Sequence, residues 1–416
     1  SRACGMIGSL AIGEGIVAQV RKEGLLKEDI VLGNALIDMY TRCGALEKAQ
    51  DLFEELPRRN VVSWNALISG NAEQGHNEEV LNLFAHMHCE GISPDTVTLI
   101  CGLKSCASIR AIEKGMEMYG NIMRKGLERN IVVGNTLIDM YIKCGALEKA
   151  QEVFNQLTVR DVVSWTALVV GYAEHGLGNE ALKCFKDMKQ HNVSPAAITY
   201  VGVLKACGIV GSLEIGEDID AEVRKKGLLL KDVMLGGALV DMYAKCGVPK
   251  KAQEVFEQLS VQDVVSWTAL IAGYARVGES RNVCLLFEQM LENGVKPDPV
   301  TFVVMLNACV RMGLFESTQT YYELMSRDYG LAPNFQHNIC IINLFFRSGR
   351  VDEAIEATRK MVMGSNAVTW NIMLNACRSW GNLEFARKVF KHASTEKNAA
   401  TYMLMSHVHA IGKGRL

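Results

Sequence analysis

His76-Asn77-Glu78 spells the His-x-Glu half of a site in which zinc activates a water and a carboxylate carries its proton. The other half, Pro-Cys-x-x-Cys, is missing, and none of the 13 cysteines forms a Cys-x-x-Cys pair, so the sequence supports neither a zinc centre nor a redox dithiol. The triplet does not recur and opens a helical segment, which reads as an exposed helix N-terminus. The other histidines are scattered, and there is no nucleophile elbow, phosphate loop or paired acidic motif. The chain is expected to be no enzyme and to hold no cofactor or metal.

What recurs is architecture. Trp64, Trp165 and Trp267 lie in near-copies of Val-Val-Ser-Trp-(Asn/Thr)-Ala-Leu, at steps of 101 and 102 residues, and Cys-Gly-Ala-Leu-Glu-Lys-Ala-Gln stands unchanged at 43–50 and 144–151. Each period holds three units in fixed order. Trp units of 35 residues run 61–95, 162–196 and 264–298; long units at 96–130, 197–232 and 299–334 have 35, 36 and 36; short units of 31 cover 30–60, 131–161 and 233–263. A further short unit, 335–366, follows.

Each unit reads as a helical hairpin. In 61–95, Trp64, Leu67 and Ile68 precede Gly75, and Leu81, Phe84 and Met87 follow it, all at helical spacing. Gly75 falls where a left-handed residue ends the first helix, and Pro94, Pro195 and Pro297 stand just past the second. A hairpin with so wide an apolar face buries it only by stacking on its neighbours. The 416 residues, 49% hydrophobic, therefore suit one all-α, right-handed superhelical solenoid (an α-α superhelix) rather than several globular domains. No apolar run approaches the roughly 18 residues needed to span a bilayer. Eight cysteines (Cys4, Cys43, Cys106, Cys144, Cys207, Cys246, Cys309 and Cys377) recur at equivalent positions, as small buried hydrophobes would, and free thiols suit a reducing compartment. Because Cys4 precedes Cys106 by 102 residues, Ser1 lies inside a unit, and the chain reads as a fragment without its targeting peptide.

The cycle of 35, 35–36 and 31 residues resembles the P, L and S repeats of plant-organelle pentatricopeptide repeat proteins. Val-Val-Ser-Trp-Asn-Ala-Leu-Ile-Ser-Gly (61–70), Gly-Asn-Ala-Leu-Ile-Asp-Met-Tyr (33–40) and Gly-Val-Lys-Pro-Asp (294–298) carry the likeness across essentially the whole chain. Residues 1–29 then form a partial L-type repeat and 30–366 the tandem array. Thr369-Trp370-Asn371 and Asn375-Ala376-Cys377-Arg378 make 367–416 similar to a partial C-terminal E-type extension, a weaker match. Tetratricopeptide scaffolds keep a uniform period of about 34 residues with an early Leu-Gly. Here Leu67, Leu168 and Leu270 are followed by Ile68, Val169 and Ile271.

The resemblance implies recognition of single-stranded RNA, one base per repeat, by the fifth and last residues of each unit. Asn34 with Asn60 would then read C, Asn65 with Asp95 U, Asn135 with Asp161 U, and Thr268 with Asp298 G. Thr166 with Ala196 keeps only a loose purine preference, and Gly237 with Asp263 has lost its first reader. Ile100, Val201, Val303 and Ile339 cannot bond a base edge, leaving the pattern C-U-n-U-R-n-n-G-n-n. Val62, Val163 and Val265, at second positions, are equally suited to a core role and to wedging between bases. The plain alternative for Asn34, Asn65 and Asn135 is helix-start capping.

With 44 basic and 46 acidic residues the chain is no polycation relying on phosphate attraction. Arg21-Lys22, Arg124-Lys125 and Arg224-Lys225-Lys226 suit cations at helix C-termini. The implied role is target recognition in organellar C-to-U RNA editing, in a mitochondrion or chloroplast, beside a cytidine deaminase-type partner and editing accessory proteins, with no membrane involved. The alternatives are a factor for transcript stability, splicing or ribosomal RNA, and a protein scaffold.

Overall fold

The computed structural model describes residues 10–229 and 232–348, together with 350, 353, 374, 386, 387, 390 and 402–407. The C-terminal motifs at 369–371 and 375–378, with Cys4 and Cys377, lie outside the described residues. Two compact bodies, 1–210 and 211–416, divide the chain inside the long unit 197–232.

Regular structure among the described residues is helical throughout. In the first body the first helices Ile30–Arg42, Val61–Glu73, Thr96–Ile109, Ile131–Lys143, Val162–Glu174 and Ala197–Val210 pack one on the next in chain order. The second helices Leu46–Glu55, Asn77–Cys89, Ile112–Arg124, Leu147–Gln156 and Gly178–Gln190 back them. The second body repeats the scheme with Val233–Lys245, Val264–Val277, Pro299–Met312 and Phe335–Arg347.

Local chemistry sets the ends of these helices. The last residue of a unit caps the first helix of the next: Asn60 accepts from the backbone N–H of Val62 and Ser63, and Asp95 from those of Val97 and Thr98. Gly75, at φ 79°, then reverses the chain with no Cβ penalty, as expected of it. Short units shorten only the second helix, from the 13 residues of Asn77–Cys89 to the 10 of Leu46–Glu55. Their first helix keeps 13 residues, so the fifth position stays in register.

The tryptophans are core. Trp64 meets Phe53 edge-on at 4.7 Å, Trp165 meets Phe154 at 4.7 Å, and Trp267 meets Phe256 at 4.6 Å, each joining a short unit to the Trp unit after it. Close approach of successive first helices needs a missing side chain: a Cβ on Gly70 would stand 2.2 Å from Cβ of Thr41. The cysteine expectation holds in part. Cys106, Cys207 and Cys309 are buried, and burial pushes the Cys106 and Cys309 thiols up to about 12, whereas Cys43, Cys144 and Cys246 are half-buried C-caps of the short units' first helices.

Candidate functional site

Each fifth residue sits one turn into a first helix, and each last residue sits at the N-cap of the following one. Stacking of the two helices brings them together. Asn65 Nδ2 donates to both oxygens of Asp95 at 3.0 and 2.9 Å, Asn135 Nδ2 to Asp161 at 3.2 Å, and Asn34 Nδ2 to Asn60 at 3.4 Å. Capping therefore belongs to the second member of each pair, and the alternative of capping for Asn34, Asn65 and Asn135 is excluded by their place inside the helix. Asp263 and Asp298 cap likewise through Ser266 N and Thr301 N. Ala196 has no cap to offer, and Gly237 has no side chain to pair with Asp263; a Cβ built on Gly237 meets nothing within 4 Å.

A third group, missed by the sequence reading, completes each pair. The third residue of the following unit places a buried hydroxyl between the two readers: Thr98 Oγ1 is 2.6 Å from Asn65 Oδ1 and 3.0 Å from Asp95 Oδ1, and Ser164 Oγ is 2.6 Å from Asn135 Oδ1 and 2.9 Å from Asp161 Oδ1. Thr166 pairs with Thr199 at 2.7 Å and Thr268 with Thr301 at 2.8 Å. Ser63 bonds Asn60 Oδ1 in the same way but does not reach Asn34, whose buried Oδ1 has no partner. The signal was present in the recurring Val-Val-Ser-Trp string and in the threonines that recur at 98, 199 and 301.

The environment stabilises the charged form of two of these carboxylates. Burial opposes ionisation of Asp95 and Asp161, but the N–H groups of Thr98 and Ser164, their hydroxyls and the Asn65 or Asn135 amide outweigh it, and both pKa values fall below the ordinary range.

Val62, Val163 and Val265 are 53, 55 and 62% exposed, which decides against the core role. They are not alone: the second residue is an exposed apolar side chain in nine successive units, from Val31 through Val97, Val132, Ile198 and Met234 to Val300. Two grooves collect these features. One of 690 Å³ is lined by Val31, Asn34, Asn60, Val62 and Asn65, and one of 390 Å³ by Asn135, Val163, Thr166, Ala196 and Ile198. Each body thus carries polar clusters of amide, hydroxyl or carboxylate groups flanked by exposed aliphatic side chains, suited to flat ligands with hydrogen-bonding edges.

His76 is the exposed N-cap residue of Asn77–Cys89, and among the described residues no group of three or more His, Cys, Asp or Glu stands together to hold a metal. The basic pairs end second helices as expected, Arg21 reaching Glu55 at 2.6 Å and Arg224 reaching Asp220 at 2.6 Å.

Paired helices stacked in chain order, with polar clusters repeated along the first helices, define a helical-repeat protein. The PPR repeat family model matches 59–108, 160–208 and 262–311, and the PPR repeat model matches 34–61, 135–162, 237–264, 300–329, 340–364 and 368–393. The chain belongs to the pentatricopeptide repeat family. It is 35% identical to the chloroplastic pentatricopeptide repeat-containing protein CRR2 of Arabidopsis thaliana, over 92% of this chain and 59% of that protein. A putative mitochondrial pentatricopeptide repeat-containing protein of the same plant is 32% identical, over 100% of this chain and 67% of its own length. The chain thus spans about three fifths of several curated relatives. The crystal structure of PPR10 in complex with an 18-nt psaJ RNA element matches with a TM-score of 0.57 at 19% identity, over 91% of this chain and 61% of that one, a likeness of fold.

Proposed function

We propose that the chain binds single-stranded RNA sequence-specifically, one base to each polar cluster. The observation that carries this reading is the pairing of Asn65 with Asp95 and of Asn135 with Asp161 across stacked helices, beside the exposed Val62 and Val163. An amide or hydroxyl beside a carboxylate presents a defined pattern to a base edge, and flanking aliphatic side chains cover base faces. The target keeps the pattern C-U-n-U-R-n-n-G-n-n, with no letter for units led by Ile100, Val201, Val303 and Ile339.

The 35, 35–36 and 31-residue cycle supports the P-L-S class, and with it target recognition for organellar C-to-U editing, the deaminase being supplied by another chain or segment. Chloroplastic and mitochondrial relatives support an organellar setting, and among the described residues no helix is long and apolar enough to cross a membrane. Binding of matched and scrambled RNAs at several salt concentrations tests the reading. Tight binding of the matched RNA alone is expected, with a shallow salt dependence at a net charge of −2. Equal affinity for both RNAs would overturn it.

A further inference from the structure

The buried third-position hydroxyls follow a rule within this chain. Where the fifth residue of a unit is polar, the third residue of the next is Ser or Thr: Asn34 and Ser63, Asn65 and Thr98, Asn135 and Ser164, Thr166 and Thr199, Thr268 and Thr301. Where the fifth is apolar, the third is apolar, as in Ile100 and Val133 or Val201 and Leu235. Among the described residues two units depart from it. Gly237 offers no reader, and Ser266 turns its hydroxyl to the backbone oxygen of Asp263 at 2.9 Å. Val303 is followed by His337, whose ring bonds Asn334 N and Pro299 O.

From this geometry we infer that the third-position hydroxyl is a positioning residue that sets the hydrogen-bond polarity of the fifth residue, and so the base it accepts. The inference rests on the RNA-reading function proposed above. A hydroxyl has one proton and two lone pairs. Thr301 Oγ1 lies 2.8 Å from Asp298 Oδ1, and a carboxylate only accepts, so the Thr301 proton goes there in the stronger, charge-assisted bond. Thr301 Oγ1 also accepts from Asp298 N at 3.3 Å, and its remaining lone pair takes the proton of Thr268. Thr268 is left as an acceptor beside an accepting carboxylate. That pair matches adjacent donors, as on guanine N1–H and N2–H.

The same threonine pair runs the other way at Ala196. Thr199 Oγ1 accepts from Ala196 N at 3.1 Å, and no carboxylate stands at position 196 to take its proton. It therefore donates to Thr166 across 2.7 Å, and Thr166 keeps its own proton to offer a base. Thr166 matches a base acceptor, as at adenine N1. Two units with the same fifth residue are thereby set to opposite polarity.

The experiment uses the full 416-residue chain and matched RNAs varied only at the nucleotide facing Thr268 or only at that facing Thr166. Thr301→Val removes the hydroxyl while leaving the Asp298-to-backbone cap; Thr301→Ser restores it. Melting temperatures confirm folding, and Thr199→Val repeats the test at the other cluster. In the wild type, G over A is expected at Thr268 and A over G at Thr166. Thr301→Val should cut the G-over-A ratio about tenfold without changing preference at other nucleotides, and Thr301→Ser should keep it. A folded Thr301→Val with unchanged G preference overturns the positioning role while the reading of bases stands. A wild type without preference at any nucleotide overturns the reading itself, and the polarity relay with it.

Discussion

Asn65 and Asp95, 30 residues apart in the chain, meet through two hydrogen bonds of 3.0 and 2.9 Å, while the same Asp95 caps the helix that begins at Thr96. One carboxylate thus serves as helix cap and as partner of the candidate reader. The two roles separate by mutation.

Asp95→Ala should cost about 0.5–2 kcal/mol of stability through the lost cap. Asn65→Ala removes no cap and is expected to cost less while weakening RNA binding. Chemical denaturation of both variants checks this; equal losses would mean that Asp95 contributes no capping energy.

Asp95 and Asp161 have folded pKa values below their unfolded ones, so their contribution is fully present above the unfolded value near 3.8 and is lost as pH falls through the folded value. Stability should decline steadily below about pH 4. In an Asp95→Asn, Asp161→Asn double variant that decline should be shallower in urea titrations at pH 7, 4 and 3.

Gly70→Ala drives a Cβ into Thr41 and should destabilise by about 1–3 kcal/mol. Thr41→Gly removes the Cβ that would clash, together with its methyl and hydroxyl. Recovery in the double variant, measured as a thermodynamic cycle, is the expected result; additive losses would place the strain elsewhere.

Thr268→Asn should move preference at its nucleotide from G toward U, at a loss of about 1–3 kcal/mol for the original base, with other nucleotides unaffected. Competition with RNAs varied at that one position reads the change.

Gly237→Asn fills space that is open in the structure, at the fifth position of the unit whose last residue is Asp263. Replacing a glycine within a helix should stabilise by a few tenths of a kcal/mol. A new U preference should arise at a nucleotide that the wild type reads indifferently, which a four-base binding comparison would detect.

Helical hairpins, their turn glycines and the three-unit cycle were legible from the chain because they depend on local spacing: Gly75 at a turn, Pro94 past a helix, Trp64 on an apolar face. The candidate readers were legible only through family resemblance, since nothing in local spacing says that position 65 meets position 95. Stacking decided three matters. It placed capping on Asp95 rather than Asn65, because the cap is defined by the next helix. It left Val62 in solvent, although an isolated valine in a repeat suits a core equally well. It also set the Thr98 and Thr301 hydroxyls between residues about 30 positions apart, a contact that depends on the distance between neighbouring helices and on the small Gly70-type residues that permit it.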